Sequence, residues 1–133
     1  MAERISFEAP LDGAFNGVVR LIVGGIAERA DFGFEAMDDL QLAIERLLAE
    51  ASSEGRVCMA FEIAPGRIRA SVGPLQEAGL AEALQQPGGG SGRLTLGTVL
   101  TTVVDSYGIE DTAGGKIVVR LEKLVEAGQG APP

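Results

Sequence analysis

The sequence predicts an α+β fold of two layers, one β-sheet with its helices on one face. Three observations predict it. Stretches 4–7, 57–64, 67–72 and 116–124 alternate apolar and polar residues, the period of a strand. Stretches 15–26, 35–52 and 96–107 repeat apolar residues every three or four positions, the period of a helix. The order reads β-α-α-β-β-α-α-β, and a single sheet covered on one face buries every apolar stripe in two layers. A length of 133 residues is that of one domain. The domain is expected over 1–126, with 127–133 a small, polar, flexible tail.

Arg4, Ile5, Ser6 and Phe7 alternate, and Pro10 ends this first strand. Asp12 is a candidate helix N-cap. Phe15, Val19, Ile22, Val23 and Ile26 follow at helical spacing. Gly17, Gly24 and Gly25 weaken this helix, each by roughly 1 kcal/mol against alanine, and allow close packing against another element or chain. Gly33 marks a break. In the next helix, 35–52, Leu40, Ile44, Leu47, Leu48 and Ala51 share a face. Asp38, Asp39, Gln41, Glu45, Arg46 and Glu50 lie mainly elsewhere, and acids in the first turns suit the helix dipole. The strands 57–64 and 67–72 flank Pro65-Gly66, so they form a hairpin, which Gly73-Pro74 closes. A short helix is expected over 75–86 around Leu80 and Leu84, then a flexible loop over 87–92. Leu96, Val99, Leu100, Val103, Val104 and Tyr107 define the last helix, which Gly108 stops. A turn at 111–115 leads into the strand 116–124.

Eleven basic and 19 acidic residues give a net charge of −8. That balance excludes the basic stripe of a nucleic-acid binder and docking on an anionic membrane; a basic protein partner would suit it. The longest apolar stretch, 18–27, is interrupted by Arg20 and two glycines and is too short to span a bilayer. No N-terminal segment reads as a signal peptide. The single cysteine, Cys58, forbids an intrachain disulfide and fits a reducing, cytoplasmic setting. The absence of histidine removes Ser-His and Cys-His mechanisms and histidine-ligated metals.

Few residues point to chemistry. The glycine-rich 88–92 lacks the lysine of a phosphate-binding loop and reads as a linker. Asp38 and Glu45 are seven residues apart, so they share a helix face with about 10 Å of rise between them. That is long for a metal pair. A solvated helix face accounts for both, with Glu45 as general base the alternative. Cys58 is expected to fill a small, buried apolar position. Arg67 and Arg69 are expected on a solvated strand face rather than in an anion site.

Three stretches resemble the anti-sigma-factor serine kinases of the histidine-kinase-like ATPase (GHKL) superfamily. Residues 39–51, DLQLAIERLLAEA, are similar to that family's N-box helix, D-L-x-L-A-V-x-E-x-x-x-N. Residues 67–74 are placed like the strand entering its adenine-binding box, and 94–121 resemble its terminal helix, with Val104-Asp105, a glycine turn and a last strand. The resemblance covers about residues 3–124. It implies a histidine-kinase-like fold, a mostly antiparallel mixed sheet with helices on one face. It also implies ATP and Mg²⁺ as cofactors, a sigma factor or anti-sigma-factor antagonist as partner, and a homodimer.

The departures from that pattern bear on function. In the family the N-box asparagine holds Mg²⁺, and four residues after Glu45 this chain has Ala49; its one asparagine is Asn16. No aspartate follows the second hairpin strand to read adenine, where Val72-Gly73-Pro74 stands instead. The phosphate lid is reduced to 87–92. Only Glu45 is assigned from the catalytic set, as base toward a substrate serine. Losing one hydrogen bond to a charged group costs about 1.5–3 kcal/mol, with the metal in addition. The family's arginine, two residues after an aromatic on the first helix, falls at Gly17 when counted from Phe15, and the nearest basic residue is Arg20. The expectation is a regulator acting by protein–protein binding in a transcription or stress-response switch, with no cofactor bound. The alternative is an active ATP-dependent serine kinase that phosphorylates an anti-sigma-factor antagonist.

Overall fold

The computed structural model describes residues 3–11, 13–51, 55–76, 80, 84 and 95–125. Its elements are β1 (Glu3–Pro10), α1 (Asn16–Arg29), α2 (Phe34–Glu50), β2 (Arg56–Ala64), β3 (Arg67–Gln76), α3 (Leu96–Val103), β4 (Ser106–Thr112) and β5 (Lys116–Leu124). The five strands form one sheet in the order β1-β2-β3-β5-β4, with every neighbouring pair antiparallel. The fold is α+β, as the periodicities predict, and the sheet is wholly antiparallel rather than mixed.

Alternation decides which face of the sheet is covered. Val57, Met59, Phe61 and Ile63 of β2, Ile68, Ala70 and Val72 of β3, and Ile117, Val119 and Leu121 of β5 are all buried. They meet Val19, Val23, Ile26 and Ala27 of α1, Leu40, Ala43, Ile44 and Leu47 of α2, and Leu96, Val99, Leu100 and Val103 of α3 in one core. Phe7 stacks on Phe61 with ring centroids 6.0 Å apart, extending that core beneath β1. The opposite face carries Arg4, Glu62, Arg69 and Glu122, neighbours across four strands. They pair as Arg4–Glu62 at 3.6 Å and Arg69–Glu122 at 2.8 Å. Cys58 belongs to this open face and is exposed, not buried: it shares the strand parity of Glu62, opposite to Val57 and Met59.

Four sequence expectations are corrected. The cap of α1 is Phe15, so Asp12, which lies outside the described residues, is not the residue that starts that helix. Gly73-Pro74 does not end β3. It forms a bulge between the pairs Val72↔Val119 and Leu75↔Ile117, and the strand continues to Gln76. The expected helix 75–86 therefore loses its first two residues to β3. Leu80 and Leu84 are helical and buried, and the rest of 77–86, with the 87–92 loop and the 127–133 tail, lies outside the described residues. Finally, α3 stops at Val103, and Tyr107 and Gly108 belong to β4, a strand the sequence pattern missed.

What stops α3 is visible. The Asp105 N–H donates to the Glu122 carbonyl at 2.9 Å, and the Leu124 N–H donates to Asp105 Oδ2 at 2.7 Å. These bonds tie the chain to β5 one residue before β4 begins. The helical spacing of Val103, Val104 and Tyr107 is equally compatible with a helix end and a strand start, and the tie to β5 decides.

Candidate functional site

The resemblance directs attention to α2, and α2 is held by its charges. Arg20 of α1 donates from Nη1 to Glu45 Oε1 at 2.5 Å and from Nη2 to Asp38 Oδ1 at 3.2 Å. The two carboxylates thus do share a face, and one guanidinium spans the two turns between them. The hydrogen bond to Glu45 and that residue's charge, followed by Asp38, push the Arg20 pKa above its ordinary value. Gln41 Nε2 donates to the Arg20 carbonyl at 3.0 Å, so α2 grips both ends of the same residue. One turn further along α1, Gly24 leaves room for this contact: a Cβ there would stand 2.9 Å from Gln41 Nε2.

Glu45 is therefore oriented toward α1 and committed to an ion pair. A general base at this place would have to act through Glu45 Oε2, because Oε1 is held by Arg20. Counted residue by residue from Asp39, moreover, the N-box pattern puts its glutamate at 46 and its asparagine at 50. Arg46 and Glu50 stand there, one position beyond the assignment of Glu45 and Ala49. Asp39, Ala43, Arg46 and Glu50 follow one another at helical steps of three and four, a different side of α2 from Asp38 and Glu45. Arg46 Nε is enclosed and has no hydrogen-bond partner among the described residues. The residue at the base's position is thus a permanent cation, with no proton-accepting role.

Asp39 is also occupied. Lys123 of β5 donates from Nζ to Asp39 Oδ2 at 3.3 Å and to the Val103 carbonyl at 2.8 Å, joining β5 to α2 and to the end of α3. The lysine side chain is only 14% exposed, so this is the most enclosed ion pair among those described.

The remaining positions fit ATP and Mg²⁺ poorly. A Cβ at Gly73 would lie 2.9 Å from the Ile117 carbonyl oxygen and 3.0 Å from Val118 Cα, so β5 backbone fills the place where an adenine-reading aspartate would begin. Ala49 and Asn16 line one shallow cavity of about 170 Å³, but the rest of its wall includes Ala9, Leu11, Val19, Leu48 and Met59, and no carboxylate. Hard cations such as Mg²⁺ need oxygen ligands, usually with a carboxylate among them. Among the described residues no three His, Cys, Asp or Glu side chains gather to hold a metal. No step through nucleotide or metal is derived from this site. Arg69 sits on the open sheet face as expected, with its pKa raised by the Glu122 hydrogen bond.

Sequence reasoning found the acids of α2 but not their partners. Arg20 was visible as the cation nearest the expected arginine position, yet its pairing with residues 18 and 25 positions away depends on how α1 crosses α2. Neither a known protein family nor a characterised protein matches the chain by sequence. Among the described residues no helix is long and apolar enough to cross a membrane.

Proposed function

We propose that this protein is a regulator of the anti-sigma-factor type, a histidine-kinase-like scaffold that acts by binding a sigma factor or an anti-sigma-factor antagonist and transfers no phosphate. One observation carries the reading. Glu45, the one acid assigned to catalysis, pairs together with Asp38 to Arg20, and Asp39 pairs with Lys123, so the acids of this helix hold α1, α2 and β5 together. Such a site positions helices rather than reacting groups. The order β-α-α-β-β followed by a terminal helix and strands supports the scaffold part of the reading. The acidic surface supports a basic protein partner, because complementary charge speeds and orients encounter.

The test is a titration of the full chain against purified sigma factors and antagonist proteins, run beside a phosphate-transfer assay with labelled ATP. The reading predicts saturable one-to-one binding to one of them and no label on any partner serine. Stoichiometric phosphorylation would overturn it in favour of a working kinase. The absence of any binding across both partner classes would overturn the regulator reading itself.

A further inference from the structure

Phe34 is the most exposed large apolar side chain among the described residues, at 87%. The backbone that presents it is nevertheless held. The Phe32 N–H donates to the Ala27 carbonyl at 3.0 Å, and the Phe32 side chain is buried. The Gly66 N–H donates to the Ala30 carbonyl at 2.9 Å, and the Val125 N–H donates to the Gly66 carbonyl at 2.8 Å. These bonds strap the α1–α2 connection, the β2–β3 turn and the end of β5 together. An apolar ring on a fixed backbone loses little freedom when a partner covers it.

Phe34 borders a groove of about 610 Å³, with Ala36 and Val125 as further apolar walls. The charges around that groove do not balance. Asp39 and Lys123 both border it, but they pair with one another at 3.3 Å. Glu35 is left over, since its carboxylate makes no hydrogen bond or ion pair among the described residues. The wider surroundings repeat the imbalance. Arg4, Arg56, Arg67, Arg69, Lys116 and Arg120 stand on the open sheet face, with the acids Glu8, Glu62, Glu110 and Glu122. The rest of the chain is left with five bases against fifteen acids. An acidic segment in the groove would therefore meet like charge, and a purely apolar one would strip water from the Glu35 carboxylate without replacing it. A long basic side chain satisfies both neighbours, its stem or guanidinium lying over the Phe34 ring and its charge reaching Glu35.

We propose that this groove, at the start of α2, docks a segment of a protein partner that carries an arginine or lysine beside an apolar residue. The cation covers Phe34 and pairs with Glu35, and the apolar residue covers Ala36 and Val125. The proposal names a surface for the protein binding argued above and rests on that reading.

The test is a titration of the isotope-labelled full chain, followed by amide NMR, with two capped hexapeptides, one alternating leucine and arginine and one alternating leucine and glutamate. Saturable shifts are expected at Phe34, Glu35, Ala36 and Val125 with the arginine peptide and not with the glutamate peptide. Phe34→Ala is expected to weaken that binding about tenfold and Glu35→Gln about threefold. Circular dichroism is expected to be unchanged, because neither side chain is buried. Shifts that are absent, lie elsewhere or are equal for both peptides would overturn the proposal. So would contacts in the free chain from the Phe34 ring to residues 127–133, or groove shifts that depend on protein concentration alone, which assign the groove to the chain's own end or to a second copy. Repeating the sigma-factor and antagonist titration with Phe34→Ala separates the two claims. Full-strength binding by the variant would overturn the groove and leave the regulator reading standing, whereas failure of the unaltered chain to bind any of those proteins would defeat the regulator reading while the peptide shifts still decide the groove.

Discussion

Arg20 determines what the acids of α2 do, and replacing it makes that visible. Arg20→Met keeps most of the stem but releases Glu45 and Asp38, so the melting temperature is expected to fall, and to fall less at high salt because the pairs are solvent-screened. Thermal melts at two ionic strengths measure both. The raised pKa of Arg20 means that, while its carboxylate partners are ionised, its contribution persists through neutral and alkaline pH and is lost only as the pH rises beyond the ordinary arginine range. With no histidine in the chain, the melting temperature is expected to be nearly flat between about pH 6 and 8. Lys123 differs because it is enclosed. Lys123→Ala leaves Asp39 and the Val103 carbonyl without their donor and is expected to cost about 1–3 kcal/mol in urea denaturation. Gly73→Asp, the substitution that would supply the missing aspartate, is expected to cost about 1–3 kcal/mol by overpacking against β5 and to confer no nucleotide binding. Gly73 was legible as a departure from the family pattern. Its backbone contact was not, since that depends on where Ile117 and Val118 lie across the bulge.

Elements were legible where one signal dominated. The final strand matches its expected span, Lys116–Leu124, and the hairpin of β2 and β3 turns at Pro65-Gly66 as expected. Gly66 has a φ of +75° and lies where a Cβ would stand 2.6 Å from the Val125 carbonyl oxygen, so the turn also seats the end of β5. Two competing signals misled the reading of α3. Its apolar residues continue at helical steps into Tyr107, but the Asp105 bonds end the helix, and the Tyr107 hydroxyl donates to the Leu84 carbonyl at 2.9 Å from within β4. The start of α3 is set by Thr95, whose side chain accepts from the Thr98 N–H at 3.1 Å. Thr95→Ala is expected to cost about 1 kcal/mol by losing that cap, read as a shift in the urea midpoint.

At the scale of the whole molecule, periodicity was enough to place the core on one face of one sheet, because every strand alternates and every helix has one apolar side. It could not reveal the strand order β1-β2-β3-β5-β4, nor that β1 and β4 are the edges, since pairing joins residues far apart in the chain. The site followed the same division. Residue types were readable, but the ion pairs that occupy them were not. The central claim is that this scaffold acts by binding proteins, without nucleotide chemistry. Calorimetric titration of the full chain with Mg-ATP tests it most directly. The account predicts no binding heat up to millimolar nucleotide, and micromolar saturable binding would contradict it.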